Sequence, residues 1–83
     1  MATNAQAGND RIRLAIVDDH PLFREGVVAS LANVAAIEIV GQGADAEQAI
    51  QISQDLLPDV LLLDISLPGG GIEATREIRR LCP

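Results

Sequence analysis

Three aspartates follow two apolar stretches of this 83-residue chain at the points where those stretches stop. Asp18 and Asp19 come directly after residues 14–17, and Asp64 follows residues 60–63. If both stretches are parallel strands of one sheet, their carboxyl ends meet at one edge, where open α/β sheets bind ligands. Carboxylates about 4 Å apart repel by roughly 4 kcal/mol per pair at an effective dielectric of about 20. The pattern therefore predicts a pocket that holds a hard divalent cation such as Mg2+.

The chemistry open to this pocket is phosphoryl transfer. A carboxylate at a strand end, here Asp64, can attack an activated phosphoryl group and form an acyl phosphate, while Asp18 and Asp19 hold the ion. The alternative is that the acids only end strands and cap the following helices, as Asp often does at turns. Three acids at one sheet edge favour the functional interpretation.

A second motif, residues 41–46, matches the dinucleotide-binding pattern G-x-G-x-x-A between a strand and a helix. Two features oppose a nucleotide site. Asp45 is the expected N-cap, so its carboxylate would use the amides that a pyrophosphate needs, and the fingerprint normally follows the first strand. An ordinary turn that glycine permits is the favoured interpretation.

Three smaller features receive structural interpretations. His20 could ligate a metal, but without a second His or a paired Cys it is interpreted as a loop residue before the helix at Pro21. Ser66 lies near Asp64 without a His relay, which argues against a serine nucleophile. Arginines alternate with glutamates near the end of the chain and predict a solvated helix face: Arg76, Arg79, Arg80, Glu73, Glu77.

Strands and helices must alternate to position these residues. Strands are predicted over residues 11–17, 37–40 and 59–63, the second closed by the glycines at 41 and 43. Helices are predicted from Pro21, with Phe23, Val27 and Leu31 on one face, and after the Asp45 cap. A third helix follows the loop at residues 68–71 and carries four apolar residues: Ile72, Ala74, Ile78, Leu81. Such alternation specifies a parallel sheet with right-handed crossovers.

Composition narrows the class of protein further. The formal charge is −6, and all six basic residues are Arg, which argues against direct nucleic-acid contact and excludes a Walker-type loop or a Schiff-base lysine. A single cysteine, Cys82, fits a reducing compartment. The start of the chain lacks the pattern of a signal peptide, and no apolar run reaches transmembrane length. The expected protein is cytoplasmic, does not bind membranes, and has a disordered tail at residues 1–10.

The acid pair continued by His20 and Pro21, together with the D-x-x-x-P stretch at residues 64–68, resembles the receiver domain of bacterial two-component response regulators, most closely the NarL/FixJ-like subfamily. The resemblance implies that Asp64 is the phosphoacceptor and that a sensor histidine kinase is the donor. It also implies that Mg2+ is bound directly by Asp19, through water by Asp18, and by the main-chain carbonyl of Ser66. The module would be no enzyme beyond catalysing its own phosphorylation.

The same resemblance implies a partial flavodoxin-like α/β fold, with strand order 2-1-3 and crossover helices. Residues 11–83 would form the N-terminal part of a receiver domain, truncated after the third of five strand–helix units. The residues that contact the phosphoryl group from later strands, and a DNA-binding output domain, would then be absent, so little stable phosphorylation is expected. The loop at residues 68–71 is one residue shorter than in the family, which predicts an earlier helix start or a different turn.

Two other functions remain open at this point. A non-catalytic interaction module could use the apolar edge at residues 60–63 to form a homodimer or a domain-swapped oligomer. An Mg2+-dependent phosphatase would need an acid two residues after its nucleophile, where this chain has Ser66.

Overall fold

The computed structural model describes residues 11–81, and both the predicted tail at residues 1–10 and Cys82 lie outside them. Strands and helices alternate as predicted. The bounds are β1 Ile12–Val17, α1 Pro21–Ala32, β2 Ile37–Gly43, α2 Ala46–Leu56, β3 Val60–Leu63 and α3 Gly71–Leu81. Two strands therefore start one residue later than predicted.

The three strands form one parallel sheet in the order β2-β1-β3, which confirms the predicted order 2-1-3. Val17, the last residue of β1, pairs with Gly43 on one side and with Leu63 on the other. The β1–β2 register shifts by one residue between Leu14 and Ala15, so that β2 carries an extra residue there. All three strands nevertheless finish at the same edge.

The core lies between the sheet and the helices α2 and α3. Its fully packed centre is formed by Val17, Ala49 and Leu67, with four half-buried apolar residues around it: Ile52, Leu61, Leu63, Ile78. Residues 14–17 are buried, because β1 is the central strand and has a neighbour at each edge. Asp18 and Asp19 thus follow the most deeply buried strand of the sheet.

The strand β2 is longer than predicted, since it continues through the glycines to Gly43. A Cβ atom at Gly41 would lie 2.9 Å from Cδ1 of Leu56, and one at Gly43 would lie 3.0 Å from Cβ of Gln48. The glycines therefore let α2 pack closely over the strand instead of ending it.

The helix α1 begins at Pro21 as predicted, but none of its residues is buried. The side chain of Phe23 remains 61% exposed. An open groove of about 640 Å3 separates its apolar side from β3 and is lined in part by Val27 and Leu62. The predicted apolar face is present, but only one side of it meets the sheet. In α3, similarly, Ala74 is buried whereas Ile72 and Leu81 are exposed.

Among residues 11–81, no helix combines the length and the apolar character that crossing a membrane requires.

Candidate functional site

The strand pairing brings the three aspartates to one edge of the sheet. Asp18 follows Val17, Asp64 follows Leu63, and these two strand ends are paired neighbours. The amide of Asp64 donates a hydrogen bond to the carbonyl of Val17 at 3.2 Å, and the amide of Asp18 donates to Gly43 at 3.1 Å. Backbone hydrogen bonds between strands therefore set the spacing of the acids.

One ligand atom each from Asp18, Asp19, His20 and Asp64 lies within 4.8 Å of the others. Asp18 is buried, while the side chains of Asp19 and Asp64 are 33% and 22% exposed. The predicted convergence of the three acids is confirmed. An incoming group can still reach Asp64 because its carboxylate is not fully covered.

His20 lies where the sequence predicted, but its side chain makes contacts that the sequence did not predict. It is the residue immediately before α1, as expected, and makes no side-chain cap to the helix. Instead its Nδ1 atom lies 2.9 Å from Asp18 Oδ1, 3.1 Å from Asp19 Oδ1 and 3.8 Å from Asp64 Oδ2. The only sequence signal for this contact was its adjacency to the acid pair.

The acidic neighbours of His20 raise the pKa of its imidazole. The hydrogen bond with Asp18, and next the negative charge of Asp19, raise the pKa of the imidazole above its usual 6.5. The charges of Asp18 and Asp64 act in the same direction. The imidazolium is favoured because it brings positive charge to an acidic pocket.

Asp64 is oriented by Ser66. The backbone amide of Ser66 donates to Asp64 Oδ1 at 3.0 Å, and the Ser66 hydroxyl donates to the same oxygen at 2.8 Å. These two hydrogen bonds, with a smaller contribution from the charge of His20, lower the pKa of the Asp64 carboxyl. Asp64 is thus held ionised with its Oδ2 atom turned toward the acid pair.

Arg24 is a positioning residue that sequence reasoning missed. Its Nη1 atom donates to the carbonyl of Asp18 at 2.6 Å and to that of Gly43 at 3.2 Å. It therefore ties α1 to the ends of β1 and β2. A lone Arg on a helix gave no pattern by which this contact could be predicted.

The loop after β3 fixes Asp64 from its other side. Leu67 is buried, and the amide of Gly71 donates to the carbonyl of Ile65 at 3.3 Å. A Cβ atom on Gly71 would overlap Ile65 Cα and would lie 2.5 Å from the Asp64 carbonyl oxygen. Gly69 and Gly70 both have φ of 91°, which glycine adopts without strain. Only glycine at residue 71 allows α3 to start this close to Asp64.

In the glycine motif at residues 41–46, groups of the protein itself use the backbone amides that a nucleotide phosphate would need. Asp45 caps α2 by accepting from the amide of Gln48 at 2.8 Å, and the amide of Ala46 donates to Pro68 at 3.0 Å. These contacts agree with the turn interpretation. The arginine-rich part of α3 also agrees with a solvated face, since Arg80 pairs with Glu77.

The acidic cluster fits a divalent cation. Asp19 Oδ1 is buried and receives no hydrogen bond from the described residues, although His20 lies close. Such an unsatisfied buried acceptor is costly unless a cation or a donor meets it. Three carboxylates are the hard oxygen donors that Mg2+ accepts. Ser66 uses its amide and hydroxyl on Asp64, and its carbonyl remains a predicted ligand.

Comparisons with known proteins agree with this geometry. The sequence pattern of the response regulator receiver domain matches residues 14–83. The transcriptional regulatory protein DegU of Brevibacillus brevis is 42% identical over 81 residues, which cover 96% of this chain and 34% of that protein. The response regulator GacA of Pseudomonas aeruginosa is 41% identical over 73 residues, covering 87% of this chain and 34% of that protein.

Solved structures give the same result at the level of the fold. The signal receiver domain of the putative response regulator NarL from Mycobacterium tuberculosis has a TM-score of 0.81 and 39% identity, over 86% of this chain and 58% of that one. The response regulator domain of Thermotoga maritima CheB has a TM-score of 0.84 and 31% identity, over 88% of this chain and 55% of that one. The chain spans about a third of the length of the curated relatives it matches.

Proposed function

Because the chain belongs to the response regulator receiver domain family, we propose that Asp64 accepts a phosphoryl group from a phosphohistidine of a sensor histidine kinase. The single observation that carries the proposal is the cluster formed by Asp64 with Asp18 and Asp19 at one sheet edge. Receiver domains are signalling modules, so the reaction transmits a signal and does not turn over a metabolite.

The transfer requires an ionised nucleophile and an open approach. The Asp64 carboxylate is kept ionised by its hydrogen bonds from Ser66, and it is partly exposed. A carboxylate oxygen of Asp64 forms the new O–P bond while the N–P bond of the phosphohistidine breaks. The electron pair of that bond returns to the nitrogen of the kinase imidazole. The ring leaves as neutral imidazole, either because its other nitrogen already carries a proton or because it takes one from water.

Asp18, Asp19, Asp64 and the main-chain carbonyl of Ser66 would hold Mg2+, which supplies positive charge against the phosphoryl oxygens. Asp18 is fixed by the amide of His20 at 2.8 Å and by its backbone contact with Arg24. These contacts keep the acid pair in place before the ion arrives, so that little reorganisation is needed.

The output of the module is proposed to be regulation of transcription, as the name of the transcriptional regulatory protein DegU suggests, and its place of action the cytoplasm. With a net charge of −6, this segment is unsuited to touch nucleic acid itself. Any DNA contact would belong to an output domain. No observation within residues 11–81 favours the alternative of a non-catalytic dimerisation module.

The proposal is tested by trapping the acyl phosphate. The protein is incubated with Mg2+ and phosphoramidate, which carries an N–P bond as phosphohistidine does and has no acyl group of its own. Hydroxylamine is present to convert an acyl phosphate on the protein to a stable hydroxamate. Because the trap collects product over the whole incubation, it is more informative than intact mass alone. We expect Mg2+-dependent hydroxamate at residue 64 by peptide mass spectrometry.

Two variants make the test specific. Asp64→Asn should form no hydroxamate, while Asp59→Asn, an exposed acid at the opposite end of β3, should react like the unaltered protein. Hydroxamate at another acid, or none on the unaltered protein, would contradict the proposal.

A further inference from the structure

We propose that the imidazole of His20 supplies a nitrogen ligand to the acidic site, so that this site binds divalent transition metals more tightly than Mg2+. The inference deepens the proposed function by adding His20 to the ligands of the same pocket. It rests on that function only for the assignment of the pocket as a cation site.

The geometry that carries the inference is the position of the ring among the carboxylates. His20 Nδ1 lies 2.9 Å from Asp18 Oδ1 and 3.1 Å from Asp19 Oδ1. Neighbouring ligands of one octahedral ion, with metal–ligand bonds of about 2.1 Å, lie about 3 Å apart. In the metal-free protein the shorter of the two Nδ1 distances is a hydrogen bond. Nδ1 therefore becomes a ligand only when the ring releases that proton to the solvent and the ion takes its place, with spacing to the two oxygens that suits one shared ion.

The backbone brings the ring to this place. The amide of His20 donates to Asp18 Oδ1 at 2.8 Å, which folds residues 18–20 back on themselves. The carbonyl of His20 accepts from the amide of Arg24 at 2.9 Å in the first turn of α1. With its main chain held on both sides, His20 can leave the pocket only by rotating its side chain.

A second observation shows where the ion would make its strongest new contact. Asp19 Oδ1 is buried and accepts no hydrogen bond from the described residues, even though the ring lies beside it. In the metal-free protein the imidazole therefore makes a hydrogen bond with Asp18 and none with Asp19. An ion between His20 and Asp19 would meet both the ring nitrogen and the unsatisfied oxygen.

The chemistry of the donors decides which metal benefits. Carboxylate oxygens suit Mg2+, whereas imidazole nitrogen suits Ni2+ and Zn2+, and affinities rise along the series from Mn2+ to Cu2+. Mg2+ prefers to retain water over a nitrogen donor. At a pH where the His20 ring is neutral, removal of the imidazole should therefore weaken binding of Ni2+ and leave that of Mg2+ nearly unchanged.

The experiment is isothermal titration calorimetry of the full chain, without an affinity tag and in a Cys82→Ser background, with Mg2+ and Ni2+ as separate probes. The buffer is set above the pH at which the His20 ring signals show that the imidazole has lost its proton. We expect Ni2+ to bind at least about tenfold more tightly than Mg2+, and His20→Ala to remove about tenfold of the Ni2+ affinity. The Mg2+ affinity of His20→Ala should stay within about threefold of the parent value. Leu22→Ala is the matched control, since Leu22 is 85% exposed and outside the cluster.

A spectroscopic readout separates ligation from a structural role. The chain contains one histidine, so its imidazole nitrogens can be assigned without ambiguity in a long-range 1H–15N spectrum. Stoichiometric Zn2+, which is diamagnetic, should shift the signal of one ring nitrogen strongly, and Mg2+ should not. Asp19→Asn should reduce the Zn2+ effect.

Each outcome decides between explanations. Equal losses of Mg2+ and Ni2+ affinity in His20→Ala, or an unchanged Ni2+ affinity, would overturn the inference. An unmoved imidazole signal with Zn2+ bound would do the same. If Ni2+ binds through His20 and Asp19 but the hydroxylamine trap finds no product, the inference stands and the proposed function fails.

Discussion

Asp18, Asp19 and Asp64 share one pocket but meet different partners there. Asp18 accepts from His20, Asp64 accepts from Ser66, and Asp19 keeps a buried oxygen without a hydrogen bond from the described residues. The convergence of the acids was predictable because neighbouring parallel strands end at the same edge. The positions of the His20 and Arg24 side chains were not, because rotamers beside a loop depend on contacts that the sequence pattern does not encode.

The His20 contacts predict a measurable titration in the metal-free protein. With EDTA present, the imidazole should titrate with a midpoint above 6.5, because Asp18 and Asp19 favour its charged form. Asp18→Asn should move the midpoint down, since it removes the largest cause. The measurement is the pH dependence of the His20 ring signals by NMR.

The sign of the linked stability follows from the same shift. The pKa of His20 is higher in the folded protein than in the unfolded chain, so the interaction of the imidazolium with the acids stabilises the fold. This stabilisation is complete below pH 6.5 and is lost as the pH rises through the pKa of the folded protein. Asp45→Asn, at the N-cap of α2, should leave the His20 midpoint unchanged. A midpoint at or below 6.5 in the unaltered protein would mean that the ring does not rest on the acids in solution.

At the scale of the elements, the order and type of all six segments followed from periodicity and from Pro and Gly positions. The bounds were less predictable where glycine serves packing, as the extension of β2 to Gly43 illustrates. A glycine in a sequence reads as a turn signal, yet here it marks close approach between a helix and a strand. Gly71 is the corresponding case beside Asp64.

Gly71→Ala should lower the free energy of unfolding by about 1–3 kcal/mol, because the new Cβ overlaps backbone atoms of Asp64 and Ile65. Urea unfolding followed by circular dichroism measures the change. The variant should also bind Mg2+ more weakly, because the loop that carries Asp64 must shift.

Gly26→Ala provides the opposite case within the same chain. Gly26 lies inside α1, and an added Cβ would meet no atom within 4 Å. This variant should raise the free energy of unfolding by about 1 kcal/mol through helix propensity alone. Equal stability of the Gly71→Ala variant and the parent would show that the close contact at Gly71 relaxes freely.

Over the whole molecule, the two faces of the sheet are covered unequally. The helices α2 and α3 close the core on one face, whereas α1 leaves an open groove beside β3. The amphipathic pattern of α1 was predictable, but its burial was not, because a periodic pattern tells which side is apolar and not what lies opposite. The net charge of −6 acts on the entire fold, and its densest part is the acidic pocket.

Mg2+ should therefore raise the thermal midpoint more than NaCl at matched ionic strength. A ligand at one hundred times its dissociation constant stabilises the folded state by about 2.7 kcal/mol. The Asp19→Asn variant should not show this additional increase in thermal midpoint with Mg2+. In the metal-free state, at a pH where His20 is neutral, the Asp19→Asn variant should be at least as stable as the parent, because one like charge is removed from the cluster. Differential scanning calorimetry measures both effects.

The control for this prediction is Glu38→Gln, which changes the net charge equally at an exposed position on β2. It should keep the full Mg2+ increment. An increment that survives in Asp19→Asn, or that disappears in Glu38→Gln, would assign the effect of Mg2+ to general screening.

The central place of β1 also determines when the pocket can first exist during synthesis. A nascent chain that has left the ribosome through Gly43 can pair β1 with β2, but the other edge of β1 stays open until Val60–Leu63 emerges. Asp18 and Asp19 are therefore translated long before Asp64 completes their pocket. The complete three-carboxylate site for Mg2+ can therefore form only after β3 has joined the sheet.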